Sequence, residues 1–274
     1  MPLVVCATPI GNLEDVTLRV LRELGEADVI LCEDTRRTRA LLDRHGISGV
    51  KLVSYHRHNE AQRTAEILPR LEADDRIALV SDAGLPAVND PGARLIRAAI
   101  DAGTEVLVLP GPSAIETALV ASGLVGEGYV FVGYLPRGAN ALRRLFERLR
   151  EHAVPVVGFE SPNRLPASLR VLADVEPELQ VAVCRELTKR YEEVVRGTAG
   201  EVAARFAEPA KGEITLVLGA VVGAAGARRG AADAGDAAAA VAELVDAGIS
   251  RRRAAEIVAR LTGRSKNALY RSSL

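Results

Sequence analysis

Five short segments gather the residue types that carry chemistry: ATPIGNLED (7–15), EDTRRT (33–38), SYHRHN (54–59), SDAGLPAVNDPG (81–92) and PGPSA (110–114). The first lacks the glycines of a GxGxxG turn, with Pro9 and Ile10 where bare backbone would approach a pyrophosphate, and no GxxxxGK[ST] occurs. Dinucleotide and nucleoside triphosphate binding are disfavoured, and a plain strand-to-helix turn capped by Asp15 or Thr17 is the simpler alternative. In EDTRRT the adjacent carboxylates of Glu33 and Asp34 point to opposite sides of an extended chain. That suits capping and ion pairing with Arg36, Arg37 and Arg39 better than metal chelation, and the arginines could instead meet phosphate. His56 and His58 stand two apart, a metal-ligand spacing with no third ligand in view, while His58 or Asn59 could hydrogen-bond a substrate. Asp82 ends an apolar run beside the amides of Ala-Gly-Leu-Pro. A metal there would need Asn89 and Asp90 to converge on it, whereas Pro91 and Gly92 mark a helix start that Asp90 is expected to cap. Ser113 in PGPSA opens a further helix and forms a small polar nest with its neighbouring amides. No metal site is expected.

These segments follow apolar runs of strand length. LVVCA (3–7), DVILCE (28–33), RIALVSD (76–82) and EVLVLPG (105–111) alternate with helix-period stretches near 16–25, 35–45, 59–72 and 91–103. This rhythm predicts a parallel sheet with helices on both faces, with ligands bound beyond the carboxyl ends of its strands, where the five segments lie. Further on, YVFVGYL (129–135), PVVGFE (155–160), LQVAVCRE (179–186), EEVVRG (192–197) and GEITLVLG (212–219) come closer together and predict a mixed, partly antiparallel sheet. The fold class expected is α/β, with an N-terminal α/β domain over 1–115, a second α/β domain over 116–220, an Ala/Gly linker over 221–236 and a basic helical extension over 237–274. Gly248 and Gly263 are placed to end helices in that extension, and Ser250 and Ser265 to start them.

The chain has 274 residues, of which 48% are hydrophobic and 26% charged, enough for two modest cores. No apolar run approaches the roughly 20 residues that span a bilayer. The start MPLVVCATPIG carries neither a basic n-region nor a cleavage motif, so a soluble, cytoplasmic protein away from membranes is expected. Cys6, Cys32 and Cys184 are far apart and odd in number, and read as buried strand residues. With no Trp, four Phe and five Tyr, surfaces on which bases could stack are few. The formal net charge of −1 conceals an asymmetry: residues 249–274 hold seven basic side chains against one acid, a net +6 on a body of −7. Such a tail suits a polyanionic partner, or is simply a solvated helix face.

Taken in order, ATPIGNLEDVTLR (7–19), CEDTRRTRALL (32–42), SYHRHNE (54–60), SDAGLPAVNDPG, LPGPSA (109–114), GYLPR (133–137), ESPNRL (160–165), CRELTKRYEE (184–193) and GEITLVLG resemble the tetrapyrrole methylase superfamily, and within it the ribosomal RNA small subunit methyltransferase I family. The resemblance implies two α/β domains with the cofactor cleft between them. It also implies S-adenosylmethionine as cofactor, 2′-O-methylation of a cytidine ribose in 16S rRNA as the activity, and a homodimer. Carried over residue by residue, Ile10, Asp82, Leu85, Ser113 and Ala114 would line the cofactor site, with the backbone near Phe159, Ile214 and Thr215 closing over adenine. For catalysis it offers Glu160 as a base and Lys189 as an orienting cation, with Glu186 beside it. Arg36, Arg37, His58, Asn59, Arg164 and Arg185 would meet the RNA of the small ribosomal subunit, and Arg251, Arg252, Arg253 and Lys266 of the tail would extend that surface. A corrinoid or siroheme-precursor methylase, or a non-enzymatic RNA-binding assembly factor, are the competing expectations.

Overall fold

The structure, a computed structural model, describes residues 1–149, 153–220, 238–262 and 265–272. The expected linker over 221–236 and the helix-ending Gly263 lie outside them. The chain divides into two compact units, one of residues 1–146 with 154–219 and one of 147–153 with 220–274.

In the first unit, five parallel strands form a sheet in the order β3-β2-β4-β1-β5. They are β1 (Leu3–Cys6), β2 (Val29–Cys32), β3 (Lys51–Ser54), β4 (Ile77–Val80) and β5 (Val106–Leu109). Each is joined to the next by a helix: α1 (Leu18–Glu26), α2 (Thr35–Arg44), α3 (Glu60–Glu72) and α4 (Ala93–Asp101). Because side chains alternate along a strand, β1 sends Val4 and Cys6 to a core with Val20 and Leu24 of α1 and Leu41 and Leu42 of α2. Leu3 and Val5 go to the opposite core, with Ile67 and Leu71 of α3 and Leu95 and Ala99 of α4. Burial on both faces is why β1, β2 and β4 read as unbroken apolar runs. β3 is an edge strand of only four half-exposed residues, which is why it does not stand out in the sequence.

The chain leaves β1 toward β2 and leaves β4 toward β5, in opposite directions across the sheet. The two connections run over opposite faces, α1 on one and α4 on the other, and neighbouring strands with connections on opposite faces open a crevice at their carboxyl ends, where ligands bind in such sheets. The loops after β1 and β4 are stitched together there: Thr8 and Gly84 exchange backbone hydrogen bonds at 2.9 and 3.0 Å, and the Thr8 hydroxyl donates to the Ser81 carbonyl at 2.9 Å.

The second sheet runs β6-β7-β10-β8-β9, from β6 (Val130–Tyr134), β7 (Val156–Glu160), β8 (Gln180–Arg185), β9 (Glu193–Thr198) and β10 (Ile214–Leu218). Only β6 and β7 pair in parallel, so the sheet is mixed as expected. Helix α5 (Ala114–Ser122) lays Ile115, Ala118 and Leu119 on Val157, Ala182 and Val217 of this sheet, and Ile10 from the loop after β1 joins the same core. Helices α6 (Ala139–Leu149), α7 (Leu165–Val175) and α8 (Ala199–Arg205) complete the α/β pattern; Thr198 and Glu201 close a reciprocal capping box on α8.

In the second unit, helical residues 238–246 (α9), α10 (Arg251–Thr262) and α11 (Lys266–Ser272) bury Val241, Ala254, Ala255, Val258 and Leu269 together. Gly248 ends α9 at φ +90°. Among the described residues no helix is long and apolar enough to cross a membrane.

Candidate active site in the cleft between the two sheets

A cleft of about 980 Å³ opens at the crevice between β1 and β4 and is closed on its other side by β6, β7 and β10. Ile10, Asp82, Leu85, Ser113, Ala114, Phe159, Ile214 and Thr215, the eight residues expected around a cofactor, all line it. They come from five separate stretches of sequence. The apolar members Ile10 and Ile214 are almost fully buried, so this part of the lining is pre-formed.

The first sheet contributes charge. Asp34 caps α2 by accepting from the Arg36 amide at 2.8 Å and pairs with the Arg36 guanidinium at 2.7 Å, which leaves Arg36 outside the cleft. These contacts hold the Asp34 carboxyl down at about 2. The Asp34 amide in turn donates to Asp82 at 2.9 Å, and Arg37 stands 3.7 Å from the other Asp82 oxygen. Glu33, Asp82 and Asp90 all face the cleft. Burial raises the Glu33 carboxyl, with repulsion from Asp82 adding to it. Burial also pushes Asp90 up to about 6, reinforced by Glu33 and Asp82 and opposed by Ser81 and Arg57. Neither Glu33 nor Asp90 forms an ion pair among the described residues. The acids do not make a metal site either: no group of three His, Cys, Asp or Glu among those residues could hold one.

The expectation that Asp90 caps the helix after it is corrected. Gly92 is the N-cap of α4, at φ +136°, a conformation Asp90 could not supply, and its amide donates to Glu60 at 2.9 Å. Asp90 is thereby released to face the cleft. Asn59 is also corrected, since its side chain holds its own turn, accepting from the His56 amide at 2.8 Å and donating to the Ser54 carbonyl at 3.1 Å. His58 is exposed and packs edge-on against His56 at 5.9 Å. Between them, Arg57 is a lining residue that sequence reasoning passed over; it reaches the Asn89 carbonyl at 2.7 Å. Its place inside SYHRHN, at the carboxyl end of β3, is the available signal.

On the second sheet the acids are locked. Glu160 has a fully buried side chain whose Oε1 takes the Ser161 amide at 2.6 Å and Arg164 at 2.5 Å, while Oε2 takes the Ser168 hydroxyl at 2.5 Å. With both oxygens engaged and its charge paired to Arg164, Glu160 does not fit the expected role of a base; it ties the start of α7 to β7. Lys189 bridges Glu186 at 2.9 Å and Glu213 at 3.0 Å. It and Glu186 stand outside the cleft lining, and Glu186, lowered by the Glu213 amide and Lys189, further receives that amide at 2.9 Å. The same loop clamps the first sheet: Thr188 accepts from the Asn12 amide at 3.1 Å, and a Cβ on Gly11 would lie 2.5 Å from Lys189 Cγ and 2.9 Å from the Leu187 carbonyl. Lys189 is therefore a clamp and not an orienting cation at the reacting atoms. Arg164 and Arg185 are also committed internally, Arg164 to Glu160 and the Leu135 carbonyl, Arg185 to Glu193 at 3.0 Å and the Lys211 carbonyl at 3.3 Å. Of the six arginines and polar residues expected to meet RNA in this unit, only Arg37 lines the cleft.

Ser113 is at the N-cap position of α5, and its hydroxyl hydrogen-bonds Glu116, which also accepts from Tyr129 at 2.5 Å. The three cysteines are buried, and burial raises the thiols of Cys6 to about 12 and Cys184 to about 11, so none is poised as a nucleophile. In the helical unit Glu256 lies 3.4 Å from Arg253 and 3.6 Å from Lys266, while Arg252 is exposed.

Residues 2–203 match the family model of the Tetrapyrrole (Corrin/Porphyrin) Methylases. Uroporphyrin III C-methyltransferase of Thermus thermophilus, solved in complex with S-adenosyl homocysteine, superposes with a TM-score of 0.56 at 20% identity, covering 81% of this chain and 99% of that one. A cobalt precorrin-4 methyltransferase superposes at 0.59 and 18%, covering 80% and 94%. These two share the fold. Sequence similarity is higher to ribosomal RNA small subunit methyltransferase I of Thermotoga maritima, 43% identical over 79% of this chain and 97% of that protein. The protein of the same description from Neisseria meningitidis is 40% identical over 98% of this chain and 91% of its own length. The chain belongs to the tetrapyrrole methylase family, and within it to the ribosomal RNA small subunit methyltransferase I proteins.

Proposed function

We propose that this protein transfers a methyl group from S-adenosylmethionine to the ribose 2′-hydroxyl of a cytidine in 16S rRNA. The observation that carries the reading is the convergence of all eight expected cofactor residues on one cleft at the carboxyl ends of β1 and β4 in the first sheet. The donor set fits that cofactor. A sulfonium and an ammonium group are cations, and Glu33, Asp82 and Asp90 give the cleft a surplus of negative charge with few counter-ions. The buried apolar walls at Ile10 and Ile214 suit adenine. When bound, the cofactor supplies a methyl carbon activated by its positive sulfur.

The chain's own part is to bind, orient and exclude water. Clamping of the loop after β1 by Thr188 and Lys189 holds Ile10 in the wall, and the Glu160–Arg164–Ser168 lock holds β7 and α7 in register behind Phe159. In-line attack by a hydroxyl oxygen demands this kind of fixed approach more than a strong base. Glu33 and Asp90, facing the cleft without ion pairs among the described residues, are the carboxylates we assign to take up the hydroxyl proton. RNA would approach over Arg37 and Arg57, with the basic helical unit, a net +6 over 249–274, adding salt-dependent affinity. A homodimer and a cytoplasmic location belong to the same reading.

The test is transfer of labelled methyl from S-adenosylmethionine to small ribosomal subunits lacking the modification. Incorporation into the RNA is expected; binding of the cofactor with no transfer to any small-subunit RNA would sink the reading and favour a small-molecule acceptor.

A further inference from the structure

The chain has nine aromatic residues, none of them tryptophan, and four of the nine, Tyr129, Phe131, Tyr134 and Phe159, line the cleft. Phe159 is the hub, its ring centroid 5.1 Å from Phe131 and 5.6 Å from Tyr134, at interplanar angles of 68° and 62°. Residues 131 and 134 are three apart and would point to opposite faces of a regular strand. β6 is not regular. Its pairing with β7 shifts register between Phe131 and Tyr134, and Gly133 sits at φ +67°, so both rings meet the same Phe159. The bulge spends a glycine and a break in the ladder to aim one side chain.

That side chain is Tyr134, packed on Phe159 yet 59% exposed. The shelf abuts the acidic loop: the Cβ position of Gly133 is 3.2 Å from Asn89 Oδ1, and Arg57 grips the Asn89 carbonyl. Burial raises the Tyr134 hydroxyl, and Glu213, Asp90, Arg164 and Arg57 all bear on it, so the ring stands among the charged groups of the cleft. The buried walls at Ile10, Ile214 and Thr215 suit an enclosed small molecule, whereas an open ring at the rim suits something arriving from solvent. Single-stranded RNA is held in this manner, with an unstacked base laid on an aromatic face beside a cation for its phosphate.

We propose that Tyr134 is the stacking platform for an unpaired nucleobase of the RNA substrate, fixing the nucleotide whose ribose enters the cleft. This rests on the RNA reading above, and deepens it by naming a substrate subsite. Binding of a short single-stranded RNA carrying a fluorescent cytidine analogue reads it without turnover. The wild-type protein should quench the analogue, Tyr134→Ala should not, and Tyr134→Phe should restore the quench. In methyl transfer, Tyr134→Ala should raise the KM for RNA about tenfold, in line with the loss of one stacked base, while calorimetry gives an unchanged Kd for S-adenosylmethionine. A tenfold loss of cofactor affinity in Tyr134→Ala with an unchanged RNA KM would overturn the proposal and assign the shelf to adenine. Quenching that survives in Tyr134→Ala would overturn it as well. A wild-type protein that methylates no RNA would instead defeat the proposed function, and the quench would still decide the role of Tyr134.

Discussion

The two walls of the cleft handle their carboxylates in opposite ways. On the first sheet, Glu33 and Asp90 face the cleft without ion pairs and their carboxyls are raised, Asp90 to about 6. On the second, Glu160 is held by Arg164, Ser168 and the Ser161 amide, and Glu213 by Lys189, which also binds Glu186 outside the lining. A carboxylate that is buried without a partner costs stability, and one that is buried with full partners holds structure. The first wall is thus arranged for a ligand that brings positive charge, and the second wall is a frame.

The sharpest way to break this contrast is to exchange the expected phenotypes. Glu160→Ala should act on stability, because it strands the Arg164 charge and the Ser168 hydroxyl: a loss of about 3 kcal/mol is expected in denaturant unfolding. A variant that kept wild-type stability but lost methyl transfer would return Glu160 to chemistry. Asp90→Asn should do the reverse. Its cofactor Kd should rise about tenfold, the scale of one removed charge interaction of roughly 1.4 kcal/mol. Its melting temperature should hold or rise at neutral pH. The sign follows from the raised carboxyl. With a folded value of about 6 above the ordinary 3.8, protonation favours the folded state, so stability from this group grows as pH falls from about 6 toward 3.8 and is absent at neutral pH. Gly11→Ala probes the seam between the walls. Its new Cβ would meet Lys189 Cγ at 2.5 Å, Thr188 Oγ1 at 2.7 Å and the Leu187 carbonyl at 2.9 Å, and overpacking of that kind costs about 1–3 kcal/mol. Both Tm and cofactor affinity should fall together. The smallest effect is expected from Arg36→Ala, whose exposed pair with Asp34 lies outside the cleft; calorimetry should return the wild-type cofactor Kd.

The fold beneath this contrast is legible in the sequence, whereas the contrast itself is not: the sequence suggests ion pairing for Glu33, a cap for Asp90 and a base for Glu160, and the reasons are local. Apolar runs mark β1, β2 and β4 because these central strands are buried on both faces, and the edge strand β5 because its four residues are all Val or Leu; the edge strand β3, with Lys51 and Ser54 at its ends, gives no such run. The cofactor residues converge because they follow those strands, which is a matter of topology that the order of loops already carries. Asp90 was misread because Asp before Pro-Gly is a good cap by composition, and only the backbone shows Gly92 taking that position. Glu160 looked catalytic because its partners Arg164 and Ser168, four and eight residues on, become partners only once α7 folds back over it. Tyr134 was invisible for a different reason: composition argued against base stacking, and the bulge that gathers the rings cannot be read from VFVGY.

The central claim is that carboxylates of the first wall that lack ion pairs receive a cationic cofactor. Calorimetric titration of S-adenosylmethionine into wild type and Asp90→Asn, from about pH 8 to about pH 5, tests it most directly. Wild-type affinity should weaken as pH drops through about 6, where Asp90 takes up its proton, and the variant should show a weaker affinity with that step missing. Superimposable pH profiles for the two proteins would contradict the account.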